Sequence, residues 1–462
     1  MKTELYRNIA FVVAAMLAGS AFAAAPVIVG DSVSFVQDPV SQQVKVSYEL
    51  EDAPGIVTVD FLTNGVSIGA KNIGSLVGDV NKLVQPGTNV IYWHPGKSWP
   101  GNNVADENGI KARVSVWPTN MPPDYMVIDL TLGPDDDTVP VSERIRYYTC
   151  AEAVDIPGGV EGDLCKTDYL VMRKIHAAGK TFCMGSAENV ANDYTYEGVS
   201  LAAAVVTPHI VQFTNDYYIG VYEFTQAQWN RLATTGHAFY FTEQSGMRPV
   251  ENVGGVRIRG YMNSKDTSAQ KIWPRDGRAV TEKYSSSYTA IRQLRKTAGG
   301  LLLDLPTESQ WEFAARAGRS GIMPDGSPVF DADEIAKYGR FPGSPDLPAG
   351  VTVDAATPPS EGGTAIVGSY PPNAWGLYDM LGNVMEMCLD AWQTTQFYDP
   401  SIVHIDPVGP YETANDLRLR VVRGGHWNSA WPLTGRSFVN INHNNGDAHT
   451  KYMGFRVCLT LP

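Results

Sequence analysis

Apolar and polar side chains alternate one by one along Val44-Lys45-Val46-Ser47-Tyr48-Glu49-Leu50, the period of a strand with one wet face. Val57-Thr58-Val59-Asp60-Phe61 repeats the pattern. Asn64-Gly65 then offers two residues that tolerate positive φ before Val66-Ser67-Ile68, which predicts a type I′ hairpin. Ala112, Val114 and Val116 alternate with Arg113, Ser115 and Trp117, and Pro-Gly or Asn-Gly pairs at 54–55, 86–87, 95–96 and 108–109 punctuate the stretch. From Asp168 the texture changes. Short apolar runs at Tyr169–Met172, Phe182–Met184 and Tyr217–Ile219 predict strands, while Thr225 with Gln228 and Thr307 with Gln310 predict two helices opened by capping boxes. Gly318 reads as the C′ residue that stops the second helix.

These patterns divide the chain. Residues 26–132 read as an all-β immunoglobulin- or fibronectin-like sandwich. Residues 133–167 read as a linker, opened by Gly133-Pro134-Asp135-Asp136-Asp137 and carrying a local disulfide between Cys150 and Cys165. Residues 168–462 read as an α+β domain. Trp93 and Trp99 read as rim packing of the sandwich, with sugar binding as the other use of such rings. Residues 1–23 read as a signal peptide: Lys2 and Arg7 precede the apolar run Ile9–Leu17, and Ala21-Phe22-Ala23 is a cleavage site. The expectation is an exported protein, periplasmic, cell-surface or secreted, with no transmembrane segment in the mature chain.

Composition narrows the classes. With 44 % hydrophobic residues the chain is not disordered, and 44 glycines with 30 prolines point to a loop-rich fold. A formal charge of −13 argues against a nucleic-acid partner. Five cysteines without a CxxC pair exclude a zinc ribbon.

Six blocks then carry a resemblance: Met184-Gly185-Ser186; Tyr218-Ile219-Gly220-Val221-Tyr222-Glu223-Phe224-Thr225; Leu305-Pro306-Thr307-Glu308; Gly376-Leu377-Tyr378-Asp379-Met380-Leu381-Gly382-Asn383-Val384-Met385-Glu386; Arg423-Gly424-Gly425-His426-Trp427; and Gly454-Phe455-Arg456-Val457. In order and content they resemble the sulfatase-modifying factor, or formylglycine-generating enzyme, superfamily. The resemblance implies a variant of the C-type-lectin-like fold. It also implies a copper-dependent oxidase with two cysteines, two and seven positions after the tryptophan of the Arg-Gly-Gly block. Those positions here hold Ser429 and Thr434, whose hydroxyls cannot replace thiolates on copper(I), so no copper is expected. Met385 and Met387 stand where the family has tryptophans, and His426 where it has a small hydroxyl residue.

The resemblance further implies a calcium site from the Asp379 and Glu386 side chains and the Gly382 and Val384 carbonyls. Pairing of Glu386 with Arg423 or Arg456 is the competing arrangement. Arg423 and Arg456 are expected to anchor loops. His426, Trp427, Trp431, Arg436, Asn442 and His443 are candidate ligand-binding residues. Pairing among Cys183, Cys388 and Cys458 stays open. Together these readings describe a calcium-stabilised, non-catalytic pseudoenzyme that binds a glycan or a protein. The alternative is an oxidase of the same superfamily, formylglycine-generating or otherwise metal-dependent.

Overall fold

The computed structural model describes residues 24–102, 109–185, 195–196, 199–200, 208–232, 237–242, 246–259, 289–319, 337–341, 363–391, 399–408, 420–428, 438–440 and 450–462. The expected signal peptide at 1–23 lies outside the described residues. Two compact units divide at Pro122/Pro123.

Among the described residues the first unit holds nine strands: β1 (Val27–Ile28), β2 (Ser34–Gln37), β3 (Val44–Glu51), β4 (Gly55–Thr63), β5 (Val66–Ser67), β6 (Val77–Gly78), β7 (Leu83–Val84), β8 (Gly87–Trp93) and β9 (Ile110–Trp117). One antiparallel sheet runs β1-β3-β8-β6 with β2 on β3; the other runs β5-β4-β7 with β9 on β4. The alternation read from sequence is the alternation observed: Val44, Val46, Tyr48 and Leu50 are buried and the residues between them are not. They meet Val57 and Phe61 of the other sheet in one cluster. The Asn64-Gly65 hairpin forms with φ of 51° and 80°, which makes both central residues left-handed. Trp93 is fully buried, stacked 4.1 Å from Phe61, and its indole nitrogen donates to Ser98 at 3.0 Å. It is a core residue.

The second unit is built on a five-stranded antiparallel sheet. Its order is β11 (Ile145–Tyr148), β10 (Tyr125–Asp129), β12 (Tyr169–Ile175), β17 (Tyr217–Gly220) and β23 (Cys458–Thr460). Smaller sheets pair β13 (Thr181–Met184), β16 (His209–Gln212) and β19 (Val403–Ile405), and β14 (Thr195–Tyr196) with β15 (Val199–Ser200). A four-stranded sheet runs β21 (Phe438–Asn440), β20 (Arg420–Arg423), β18 (Met385–Ala391), β22 (Met453–Gly454). Both capping boxes form, at Thr225 on helix Gln226–Arg231 and at Thr307 on helix Glu308–Arg316. The second helix ends with Ala317 and Gly318 both left-handed.

Three expectations are corrected. The sequence boundary at 132 falls instead at 122, because β10 is the interior strand between β11 and β12. Met126 and Ile128 pack on one face of that sheet, and Tyr125 and Val127 on the other. Residues 133–167 are likewise not a linker but part of this unit. Arg144 is buried and donates to the Val139 carbonyl at 3.1 Å, and Tyr222 donates its hydroxyl proton to the Val160 carbonyl at 3.1 Å. The Cys150–Cys165 disulfide is also absent: all five cysteines are free. Cys165 is packed with Val154 and Val171 and turned toward the Gly159 carbonyl at 3.1 Å. Burial pushes its thiol up to about 12. Alkylation after denaturation without reductant is expected to label five thiols, and in the folded protein the exposed Cys183 first; a Cys150–Cys165 peptide pair in mass spectrometry would contradict this.

Candidate functional site

Arg456 lies between β22 and β23, fully buried, and places every guanidinium hydrogen. Nε donates to Glu386 Oε2 at 3.0 Å and Nη2 to Glu386 Oε1 at 2.7 Å, a bidentate fork. The remaining protons go to the carbonyls of Gly220 (2.9 Å), Val221 (3.0 Å) and Tyr378 (2.8 Å). Gly220 is glycine for a reason of space: a Cβ there would sit 3.3 Å from Arg456 Cγ and 3.0 Å from the Tyr222 carbonyl oxygen. Glu386 Oε2 also accepts from the Trp311 indole at 2.8 Å. Glu386 thus forms the ion pair with Arg456 that the sequence left open. Arg423 pairs instead with Glu312 and lies 5.5 Å over the Trp311 ring.

Two more carboxylates are buried beside this pair. Glu223 accepts from Asn383 Nδ2 at 2.6 Å and from the Val384 amide at 3.1 Å. Burial, and then the charges of Asp379 and Glu386, hold it well above the ordinary carboxylate range. Asp379 accepts the Gly368 amide on Oδ2 at 2.6 Å, while its buried Oδ1 has no hydrogen-bond partner. Burial pushes Asp379 up to about 6. Three carboxylates thus face one guanidinium, a formal excess of negative charge that a bound cation or protons must offset. Asp379, Gly382, Val384 and Glu386 do share one loop and strand. Gly382 carries a φ of 77°, and a Cβ on it would lie 2.4 Å from the Arg340 carbonyl oxygen. Among the described residues no three His, Cys, Asp or Glu side chains converge on one metal position.

The Arg-Gly-Gly-His-Trp block lies against this loop, with the Trp427 amide donating to the Asn383 carbonyl at 2.9 Å. His426 is buried, stacked 4.2 Å from the Tyr452 ring, and its Nδ1 accepts the Asn428 amide at 3.1 Å. Burial lowers it to about 3, so the imidazole is neutral. Trp427 donates its indole proton to the Lys451 carbonyl at 3.1 Å and meets Phe241 edge-on at 5.6 Å. Ser429, Trp431, Thr434, Arg436, Asn442 and His443 lie outside the described residues. Met385 and Met387 are buried in the main hydrophobic cluster, so the two positions that the family fills with tryptophan serve packing here.

Sequence reasoning missed Glu223, Trp311, Glu251 and the pair Lys451-Tyr452. Glu223 had a signal, as one charge inside the apolar run Tyr217–Phe224. Glu251 is fully buried and accepts the backbone amides of Tyr240 and Phe241, the latter at 3.0 Å; burial raises it to about 7. Nothing local in the sequence marks it. Breaking the Arg456–Glu386 fork strands a buried carboxylate, so Arg456→Met is expected to cost about 3–5 kcal/mol in equilibrium denaturation. A loss below about 1 kcal/mol would show that the pair does not hold the site together.

Comparison with known proteins gives the site its family. Residues 170–461 match the sulfatase-modifying factor enzyme 1-like domain. The chain is 30% identical over 229 residues to a serine/threonine-protein kinase pkn1 of Chlamydia pneumoniae, covering 48% of this chain and 32% of that protein. It is 35% identical over 156 residues to a formylglycine-generating enzyme of Streptomyces coelicolor, covering 33% and 45%. It is 32% identical over 125 residues to an inactive C-alpha-formylglycine-generating enzyme 2 of Bos taurus, covering 27% and 32%. Each of these three alignments spans less than half of the relative's own length. With the matched domain covering residues 170–461, well over half of the chain, this protein belongs to the sulfatase-modifying factor family.

Proposed function

We propose that the chain is an exported, non-catalytic binding protein: a sulfatase-modifying-factor domain whose oxidase chemistry is lost, carried behind an immunoglobulin- or fibronectin-like sandwich. The ligand is a glycan or a protein. The observation that carries this reading is the placement of the five cysteines. None stands at position 429 or 434, where Ser429 and Thr434 are found. Cys388 and Cys458 are buried in β18 and β23, and burial raises both thiols, which disfavours the thiolate that copper(I) binds. Kinship with a relative named as inactive agrees with this. The signal-like segment at 1–23 supports export, and residues 24–122 supply the sandwich.

Calcium belongs to the same proposal. The Asp379 Oδ1 without a partner and the negative excess of Glu223, Asp379 and Glu386 suit a hard divalent cation. Asp379 would be its side-chain ligand and the Gly382 and Val384 carbonyls its neutral ones. Glu386 would contribute charge while remaining with Arg456. When bound, the cation supplies charge balance to the loop that supports the Arg-Gly-Gly-His-Trp block.

Two measurements test these readings. Purified protein incubated with copper(I), oxygen and a sulfatase-type cysteine peptide is expected to leave the peptide mass unchanged; conversion of the thiol to an aldehyde would restore the oxidase alternative. After chelator treatment, calcium at about a hundredfold its Kd is expected to add about 2.7 kcal/mol of stability. Asp379→Asn is expected to remove most of that gain, and an unchanged melting temperature in the parent protein would end the calcium reading.

A further inference from the structure

Lys451 holds an unusual position. Its ammonium lies 5.5 Å from the Tyr240 ring centroid, 5.3 Å from Trp427 and 5.5 Å from Tyr452. No carboxylate of the described residues pairs with it, in a chain whose formal charge is −13. Three ring faces hold the cation by their quadrupoles and leave its hydrogen-bonding protons without an anionic acceptor among the described residues. Tyr240 is 64% exposed, so one wall of this cage is open to solvent.

The walls are held in place. Glu251 accepts the Tyr240 and Phe241 amides, and the Gln226 side chain donates to the Phe241 carbonyl at 2.8 Å. The Met385 amide donates to the Tyr452 carbonyl at 2.8 Å, and the Trp427 indole to the Lys451 carbonyl at 3.1 Å. His426 backs the Tyr452 ring as a neutral imidazole, so it adds no second charge. The result is a prearranged cation among aromatic faces, a form that favours a rigid ligand carrying its own anion.

We propose that Tyr240, Lys451 and Tyr452 bind a pyranose ring bearing a carboxylate, that is, a uronic-acid unit of an acidic glycan. The carboxylate would meet the Lys451 ammonium, and the apolar C–H face of the ring would lie against Tyr240. A flexible acidic peptide could satisfy the charge but would leave the exposed ring uncovered, so the glycan is the better fit. The proposal rests on the binding-protein reading above and names its ligand class.

The test is calorimetric titration of the full chain with trigalacturonate, maltotriose and a hexaglutamate peptide. Trigalacturonate is expected to bind saturably, and maltotriose and hexaglutamate at least about tenfold more weakly. Lys451→Met is expected to weaken trigalacturonate about ten- to a hundredfold, as is usual for loss of a charged hydrogen-bond partner. Tyr240→Ala is expected to weaken it too, with Tyr240→Phe near the parent value. Tyr240 is exposed, so its variants report on binding even if Lys451→Met unfolds. Absence of trigalacturonate binding, equal binding of maltotriose or hexaglutamate, or an unaffected Tyr240→Ala would each overturn the proposal. Those outcomes leave the binding-protein reading standing. Aldehyde formation on the cysteine peptide would remove that reading instead.

Discussion

The five N–H groups of the Arg456 guanidinium are the constraint on which the second unit depends. They join the end of β17, the loop at Tyr378 and strand β18 in one planar fork, and Glu386 passes the connection on to Trp311 of helix Glu308–Arg316. A domain with long irregular connections cannot rely on ladders alone to fix its loops, because backbone carbonyls outside sheets need other donors. Arginine fits that need, since its five N–H groups spread in a plane and stay charged when buried. The carboxylate of Glu386 makes the burial affordable. Arg423 with Glu312 and Arg259 with Asp304 repeat the device, the latter pair at 2.7 Å.

What the sequence disclosed follows the range of the forces involved. The Asn64-Gly65 hairpin and the capping boxes at Thr225 and Thr307 were legible because residues within four positions decide them. The boundary at 122 was not. Tyr125–Asp129 has the composition of one more strand of the first unit, and only its pairing with Ile145–Tyr148 and Tyr169–Ile175 assigns it to the second unit. Cys150 and Cys165 had a spacing that suits a local disulfide, but the packing of Cys165 against Val154 and Val171 turned the thiol elsewhere. Glu386 has an ion-pair partner that its own stretch of sequence does not reveal, since Arg456 lies 70 residues away.

The family blocks were legible as blocks, while their uses had to be seen in three dimensions. Met385 and Met387 keep the packing role of the position and discard the tryptophan ring. Glu223 was quoted within its block, yet its importance comes from Asp379 and Glu386, which the fold brings beside it. Lys451 and Tyr452 precede the last block and carry no motif. Their meaning comes from Tyr240, which reaches them from a segment more than two hundred residues earlier and is held there by Glu251.

The separation bridged by Arg456 also bears on how the domain comes into being. Its bonds to Gly220 and Val221 span 236 and 235 residues. Contacts of such range demand closure of a very long loop before they return any stability, which slows folding. During synthesis the β17 end must therefore wait, its carbonyls served by water, until the segment carrying Arg456 has been made. Over that interval β17 also lacks its sheet partner β23, so that edge of the central sheet stays open until the last strand arrives.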